Sequence, residues 1–277
     1  MLLPIISVSD FSHLTQQNLV ILDARAGKNM HEIYLEKHIK NARIIDLDKD
    51  LATIGDDPAF GGRHPLPTLE KFSDTLSRLG IHEDSHIVIY DDKNGANAAA
   101  RAWWMLKSFG FEKVQVLDGG IQAAEKFGLE FSSGEEQYSQ ANVIKKENWR
   151  LATSTIEEVE NAICSNRSTV IDVRDAYRYL GESEPIDLIA GHIPGAINIP
   201  FSENLNSEGL FLKPEELKEK YSLILKDKNN NLIVHCGSGV TACHTLLALA
   251  YVGIENTSLY VGSWSEWSRR DREIAKN

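Results

Sequence analysis

The sequence predicts an α/β protein made of two tandem copies of one domain, each a parallel sheet flanked by helices. The first observation is an internal repeat: three short segments recur once, in the same order and about 150 residues apart. The matched pairs are 20–25 with 170–174, 38–42 with 192–196, and 87–91 with 232–236. The second observation is that apolar runs alternate with helical patterns in both halves, which is typical of a parallel sheet covered by helices.

Six short apolar runs favour strands, and four longer runs have helical periodicity. The predicted strands are Val20–Leu22, Ile87–Tyr90, Val114–Leu117, Val170–Val173, Leu232–His235 and Ser258–Val261. The predicted helices are Leu69–Leu79, Ala98–Phe109, Pro214–Leu225 and Ala242–Tyr251. Because ligands of parallel sheets bind at the carboxyl ends of strands, the residues that follow these strands are the first candidates for a site.

A polar, glycine-bearing stretch from Phe131 to Asn148 separates the two copies. We therefore predict a first domain at residues 1–132, a linker at 133–148 and a second domain at 149–277.

The charge of the chain limits its partners. Lys and Arg number 29 against 40 Asp and Glu, which gives a formal net charge of −11. Repulsion from phosphate groups argues against nucleic acid and against an anionic membrane surface as partners. A local positive pocket for a small anion is compatible with this charge.

The cysteines and the N-terminal segment indicate a compartment. Cys164, Cys236 and Cys243 have no paired spacing, which argues against a disulfide framework and favours a reducing environment. The first residues lack a basic region followed by a long apolar run, and no stretch approaches the length of a membrane span. We expect a cytoplasmic protein with no membrane partner, no metal and no cofactor.

The most informative loop follows the fifth predicted strand. Cys236 ends the apolar run, and a helical pattern begins at Ala242. Gly237 and Gly239 let the loop curl so that backbone N–H groups can point inward, and the helix N-terminus adds partial positive charge. Such a cradle stabilises a thiolate, so Cys236 is predicted to be a nucleophile. A buried structural cysteine is the alternative, and it would not require the glycines.

The first copy has Asp91 where the second has Cys236. A carboxylate cannot perform thiol chemistry, so domain one is predicted to keep the fold without the reaction. It can still shape a small-molecule site.

The chain resembles the two-domain sulfurtransferases of the rhodanese family over nearly its whole length. The motifs that carry the resemblance are Asp172-Val-Arg174, Gly191-His-Ile-Pro-Gly195, Cys236-Gly-Ser-Gly-Val-Thr-Ala242, Gly262-Ser-Trp-Ser-Glu-Trp267, Ala100-Arg101-Ala-Trp103-Trp104 and Leu117-Asp118-Gly119-Gly120. The resemblance implies that a small anionic donor gives a sulfane sulfur to Cys236, forming a persulfide. The sulfur then passes to an acceptor thiol, for example that of thioredoxin, or to cyanide.

The residues after the cysteine separate two donor classes. Thiosulfate-type members resemble a loop with Arg and Lys there, which suits a dianion. Here Gly237 and Ser238 resemble the loop of mercaptopyruvate-type members, in which a serine can relay the proton that an enolate needs. We favour 3-mercaptopyruvate as donor, with thiosulfate as the alternative. Ser238 is then favoured as a catalytic residue, and the alternative is a loop residue chosen for its size and turn propensity.

Other residues are assigned to donor binding by the same resemblance. Gly237, Gly239, Val240 and Thr241 form the loop, and Thr241 is also expected to cap the following helix. Arg178 matches the first of two arginines that hold the keto acid. The second should fall near Asp187, where no arginine stands.

Asp48 and His64 match by motif an Asp and a His of domain one that face the cysteine. The remaining candidates are predicted to be structural. His38 and His192 recur in both copies, which favours a turn histidine, and Asp172 with Arg174 is expected to form a supporting pair. Cys243 is expected to be a core residue.

Two other function classes share features with this chain. A cysteine phosphatase also holds its cysteine in an anion loop, but it needs an arginine six residues later, where this chain has Ala242. A non-enzymatic binding module would fit the first copy alone, and the cysteine loop of the second copy argues against it.

Overall fold

The computed structural model describes residues 2–165, 168–222, 224–225 and 231–276. The chain divides into two compact units. The first comprises Met1–Thr53 and Pro67–Leu151, and the second comprises Ile54–Leu66 and Ala152–Asn277.

The first unit is built on a five-stranded parallel sheet. The unit has seven strands among its described residues, of which five form this sheet. They are β1 (Ile5–Ile6), β2 (Leu19–Asp23), β3 (His38–Ile39), β4 (Ala42–Ile44), β5 (His86–Tyr90), β6 (Val114–Leu117) and β7 (Phe131–Ser132). Its helices are α1 (Val8–Ser12), α2 (Met30–Glu36), α3 (Leu69–Arg78), α4 (Ala98–Phe109) and α5 (Gly120–Phe127). The order across the sheet is β1-β6-β5-β2-β4, and β3 pairs with β7 in a separate antiparallel ribbon.

The second unit repeats this plan. Its strands are β8 (Thr153–Ser154), β9 (Ser168–Asp172), β10 (Ile197–Asn198), β11 (Asn231–His235) and β12 (Thr257–Tyr260). Its helices are α6 (Ile156–Ser165), α7 (Ala176–Tyr179), α8 (Pro214–Ser222), α9 (Ala242–Tyr251) and α10 (Ser263–Trp267), with a 3₁₀ turn at Phe201–Asn204. The sheet order is β10-β9-β11-β12-β8, all parallel.

Read from the opposite edge, the first sheet has the same topology, with β4, β2, β5, β6 and β1 in place of β10, β9, β11, β12 and β8. The central strands β5 and β11 are buried from their second residue onward. Burial on both faces explains why they are continuous apolar runs rather than alternating ones. The predicted α/β class and the internal repeat are confirmed.

The predicted elements lie close to the observed ones. Helices α4 and α9 have the predicted bounds, and the six predicted strands shift by at most two residues at either end. Helix α8, predicted to reach Leu225, ends at Ser222, and position 223 lies outside the described residues. The short strands at the sheet edges were not predicted, because two or three residues carry no detectable periodicity.

The segment 54–66 follows the first half of the sequence but packs with the second unit. Its backbone explains this placement. The Gly61 N–H donates to Glu266 Oε1 at 2.9 Å, and the Arg63 N–H donates to Ser265 Oγ at 3.1 Å. The predicted boundaries place this segment in the first domain, so the compact units and the predicted domains differ here.

Candidate active site

Cys236 lies where the sequence predicts, at the carboxyl end of the central strand β11 and before helix α9. It is 2% exposed. Its N–H donates to Ser263 Oγ at 3.2 Å, and its carbonyl accepts from the Trp264 N–H at 3.0 Å. The start of α10 therefore fixes the backbone on which the sulfur stands.

The two glycines of the loop differ in what they allow. Gly239 has a φ of +72°, and a Cβ there would lie 2.5 Å from the Val261 carbonyl oxygen. Gly237 has an ordinary φ, but a Cβ there would lie 3.0 Å from Arg63 Nη2 and 3.5 Å from Arg178 Nη2. The second glycine thus permits the turn, and the first lets two guanidinium groups approach the backbone beside Cys236.

The last two loop residues lead into helix α9. The Val240 and Thr241 carbonyls accept from the N–H groups of Cys243 and His244, both at 3.0 Å. Thr241 stands at the N-cap position, but its side chain makes no capping hydrogen bond and its backbone is already helical. The expectation that its hydroxyl caps the helix is therefore wrong, because a capping side chain needs extended backbone at that position.

The structure brings Ser238 and His64 together. Ser238 Oγ lies 2.8 Å from His64 Nδ1, and Ser238 is buried while His64 is partly exposed. The two residues are 174 positions apart in the sequence. The 54–66 segment makes the contact possible, because its neighbours Gly61 and Arg63 are bound to the start of α10.

Asp187 occupies the place where a second arginine was expected, and the structure shows what surrounds it. Its side chain is fully buried. Arg63 Nε donates to its Oδ1 at 3.0 Å and Arg269 Nη1 to the same oxygen at 3.3 Å, while Arg178 Nη2 donates to its Oδ2 at 3.4 Å. An acidic residue at this position therefore gathers three cations instead of supplying one.

Arg178 has a second carboxylate partner. Its Nη2 donates to Glu184 Oε1 at 2.7 Å, and its Nε contacts both oxygens of Glu184. Burial lowers the pKa of Arg178, but Glu184, Asp187 and a negative charge at Cys236 outweigh it and raise that pKa above its usual value. Arg178 is thus held as a cation close enough to Cys236 to interact with a thiolate electrostatically.

Asp48 belongs to the first unit, where its N–H donates to Asp46 Oδ1 at 2.9 Å. Its predicted role in donor binding stays a prediction. Cys243 is fully buried, and its Sγ donates to the Gly239 carbonyl at 3.4 Å, as expected of a core cysteine.

The predicted structural residues recur in both units with the same contacts. Arg174 Nη2 donates to Asp172 Oδ2 at 2.6 Å, which confirms the supporting pair. His192 stacks on Tyr179 with ring centroids 3.7 Å apart, and its Nδ1 lies 2.8 Å from the Tyr179 carbonyl. His38 does the same with Tyr34, at 4.1 Å and 2.7 Å. A turn-stabilising role for both histidines is confirmed.

Two cations that pair with Asp187, Arg63 and Arg269, were missed by sequence reasoning. Arg63 directly precedes His64, so the motif that pointed to the histidine also contained the arginine. Arg269 follows the Trp267 motif by two residues and carries no signal of its own. Long-range packing brings both to Asp187.

The described residues contain neither a metal cluster nor a membrane-spanning helix. Within them, no group of three or more His, Cys, Asp or Glu side chains could hold a metal ion. Every helix in the same ranges is too short or too polar to cross a membrane.

Known proteins similar to this chain identify its family. A family model of the Rhodanese-like domain matches residues 7–126 and again 155–270. A probable 3-mercaptopyruvate sulfurtransferase of Pseudomonas aeruginosa is 38% identical over 265 residues, covering 92% of this chain and 91% of the relative. Thiosulfate sulfurtransferase of Rattus norvegicus is 36% identical over 261 residues, covering 91% and 86%.

Among solved structures, the crystal structure of SseA from Escherichia coli, described as a 3-mercaptopyruvate sulfotransferase with a "rhodanese" fold, has a TM-score of 0.81. It is 32% identical, and the match covers 96% of this chain and 100% of that chain. The chain therefore belongs to the rhodanese family, with two domains of that fold. The predicted resemblance to two-domain sulfurtransferases is confirmed, whereas identities of 38% and 36% do not separate the two donors.

Proposed function

We propose that this protein transfers a sulfane sulfur from 3-mercaptopyruvate to Cys236, and from the Cys236 persulfide to an acceptor. The Cys236 thiolate attacks the sulfur of the donor thiol, and a bond forms between the two sulfur atoms. The carbon–sulfur bond of the donor breaks, and its electron pair stays on carbon as the enolate of pyruvate. Protonation of that carbon releases pyruvate, so no external oxidant is needed.

The observation that carries this proposal is the hydrogen bond between Ser238 Oγ and His64 Nδ1. An enolate must be protonated, and general acid catalysis requires a proton donor within hydrogen-bond reach. Ser238 stands two residues after Cys236, and the histidine behind it can renew its proton. Sulfite, which leaves from thiosulfate, needs no such proton. Proton donation by Ser238 and His64 would therefore assist the reaction of the keto acid and not that of thiosulfate.

The second step returns the enzyme to its starting state. A thiolate acceptor attacks the outer sulfur of the persulfide, the sulfur–sulfur bond breaks, and Cys236 leaves as a thiolate. The product is an acceptor persulfide, or thiocyanate when cyanide is the nucleophile. We propose a thiol acceptor, for example that of thioredoxin, because Cys164, Cys236 and Cys243 are free thiols, which fits a reducing cytoplasm.

We also propose a division of roles between the two domains and a limit on the partners of the protein. Domain one at 1–132 is proposed to be catalytically silent and domain two at 149–277 to carry the reaction, joined by 133–148. Asp91 at the cysteine position supports the first statement. The net charge of −11 supports the absence of nucleic acid and of an anionic membrane surface among the partners.

The experiment is a side-by-side measurement of kcat/KM with 3-mercaptopyruvate and with thiosulfate, using cyanide as the common acceptor. We expect the keto acid to be the better donor by at least about tenfold, which is about 1.4 kcal/mol of transition-state binding. Mass spectrometry should find one additional sulfur on the peptide that contains Cys236.

Thiosulfate is the second candidate, and one observation favours it. Two guanidinium groups, those of Arg63 and Arg178, lie beside Gly237, and cations are what a dianion requires. A tenfold preference for thiosulfate in the same measurement would replace our donor without affecting the assignment of sulfur transfer.

A further inference from the structure

Two of the three arginines that pair with Asp187 also lie beside the cysteine loop. Nη2 of Arg63 and Nη2 of Arg178 lie 3.0 and 3.5 Å from the position of a Cβ on Gly237. Asp187 Oδ2 lies 3.3 Å from the same position. Two guanidinium groups thus meet at the residue that follows the nucleophile, with one buried carboxylate between them.

The hydrogen bonds leave the same edge of each guanidinium available. Arg63 gives Nε and Nη2 to Asp187, and Arg178 gives Nε to Glu184 and Nη2 to Glu184 and Asp187. Among the described residues, Nη1 of Arg63 and Nη1 of Arg178 donate no hydrogen bond. Arg269 differs, because its Nη1 is bound both by Asp187 and by the Ser265 carbonyl at 2.9 Å.

The charge of the cluster is not balanced. Arg63, Arg178 and Arg269 face Asp187 and Glu184, which leaves one net positive charge. The net charge stays the same when the neighbouring Asp172–Arg174 ion pair is included, because that pair is neutral. The Cys236 thiolate is not included in this net charge. Because two carboxylates already neutralise two of the three cations, the cluster suits a monoanion better than a dianion.

We propose that Arg63, together with Arg178, binds the carboxylate of the sulfur donor, and that Asp187 is the positioning residue that turns both guanidinium groups toward Gly237. Arg63 is suited to this because its side chain is 26% exposed, whereas that of Arg178 is 9% exposed. A ligand can therefore reach Arg63 while Asp187 holds its orientation. This inference rests on the proposed function, since it assigns the group that recognises the 2-keto acid.

The test compares Arg63→Gln with Arg63→Lys and with a control, Arg272→Gln. Arg272 lies in the same unit, and its contacts are Glu157 and Glu160. For Arg63→Gln we expect KM for 3-mercaptopyruvate to rise about tenfold and kcat to change less than about threefold, because uniform binding is lost. Arg63→Lys should recover part of the affinity, since it keeps the charge but not the planar fork. Arg272→Gln should match the wild type.

A second readout does not depend on turnover with the keto acid. Pyruvate carries the same carboxylate, so its dissociation constant, measured by calorimetry, should rise for Arg63→Gln about as much as KM does. An unchanged pyruvate affinity and an unchanged KM would overturn the role of Arg63. A fall in kcat with a lower thermal midpoint and a constant KM would also overturn it, because that pattern indicates a structural ion pair.

Asp187→Asn tests the positioning residue. It keeps the three arginines, removes their common acceptor charge and raises the net charge of the cluster by one. We expect the ratio of kcat/KM values to move toward thiosulfate by about tenfold, since a dianion gains more than a monoanion from an added positive charge. An unchanged ratio would remove Asp187 from the proposal. If the wild type does not use 3-mercaptopyruvate, the proposed donor fails, while the pyruvate titration still decides on Arg63.

Discussion

The loops that follow the central strands of the two units differ in one decisive residue. In the first unit, the buried Asp91 carboxylate accepts backbone N–H groups from Lys93 and Gly95 at 2.9 and 2.8 Å, and from Asn97 and Ala99 at 3.1 and 3.2 Å. The loop is thus an anion cradle that holds an anion of its own chain. In the second unit the equivalent residue is Cys236. A carboxylate cannot perform thiol chemistry, whereas the Cys236 side chain can.

The residues behind the two loops show the same relation. Asp23 pairs with Arg25 as Asp172 pairs with Arg174, in both cases at 2.6 Å. The last residue of the central strand differs: Tyr90 donates its hydroxyl to Asp23 at 2.7 Å, whereas His235 has its Nε2 3.8 Å from Asp172. Burial raises the pKa of Tyr90 and lowers the pKa of His235. Both groups are therefore neutral near pH 7, but only the histidine has an unfolded-state pKa near neutrality, so only its protonation in mild acid favours the unfolded chain.

The largest effect is expected at the nucleophile. Cys236→Ser should lower sulfur transfer by about a thousandfold or more, since it removes the atom that carries the sulfur. Turnover and the mass of the Cys236 peptide after donor treatment are measured together. Cys164→Ser, at an exposed cysteine, should behave like the wild type. Sulfur found on Cys164 or Cys243 would contradict the assignment.

A smaller effect is expected at the proton path. Ser238→Ala should lower kcat with 3-mercaptopyruvate about a hundredfold, and with thiosulfate less than tenfold, because only the keto acid leaves as an enolate. The ratio of the two kcat values is the measurement. Equal losses with both donors would indicate that Ser238 shapes the loop and moves no proton.

The first loop should matter for stability and not for turnover. Asp91→Ala leaves four N–H groups without their acceptor and is expected to lower the free energy of unfolding by about 3 kcal/mol. Asp91→Asn, which keeps one carbonyl oxygen, should lose less. Hydrogen exchange of peptides from 91–99 localises the change, and sulfur transfer should stay within about twofold. A large loss of turnover in a folded protein would show that this loop takes part in the reaction.

The smallest expected effect is on the pH dependence of stability, to which His235 should contribute and Tyr90 should not. The folded-state pKa of His235 is lowered, so its contribution to stability is complete above the unfolded value near 6.5 and is lost as pH falls below it. The slope is about 1.4 kcal/mol per pH unit for one proton. Urea unfolding at several pH values should show a shallower slope for His235→Tyr. The exposed-histidine control His13→Gln should keep the wild-type slope, and an identical slope in all three proteins would contradict the prediction.

Sequence reasoning located the parts of this molecule that are determined locally. Helix α9 and the strand before Cys236 were predicted closely because buried apolar runs and glycines are visible in the sequence. The arginine cluster was not predicted, because the sequence showed at Asp187 only that an expected arginine is missing. Its neighbours Arg63 and Arg269 lie 124 and 82 positions away in the sequence. Contacts at such separations depend on the whole fold, and no local pattern reports them.

The 54–66 segment also bears on how the enzyme can be made and divided. Its contacts join residues far apart in the sequence: Gly61 and Glu266 are 205 positions apart, and His64 and Ser238 are 174 positions apart, so long loops must close to form them. The entropy of closing a loop grows only slowly with its length, whereas folding slows as contacts become less local. During translation, His64 emerges long before its partner and has to wait for it. A gene fragment for 149–277 would encode the nucleophile without Arg63 or His64, but adding 54–66 as a separate peptide should restore them.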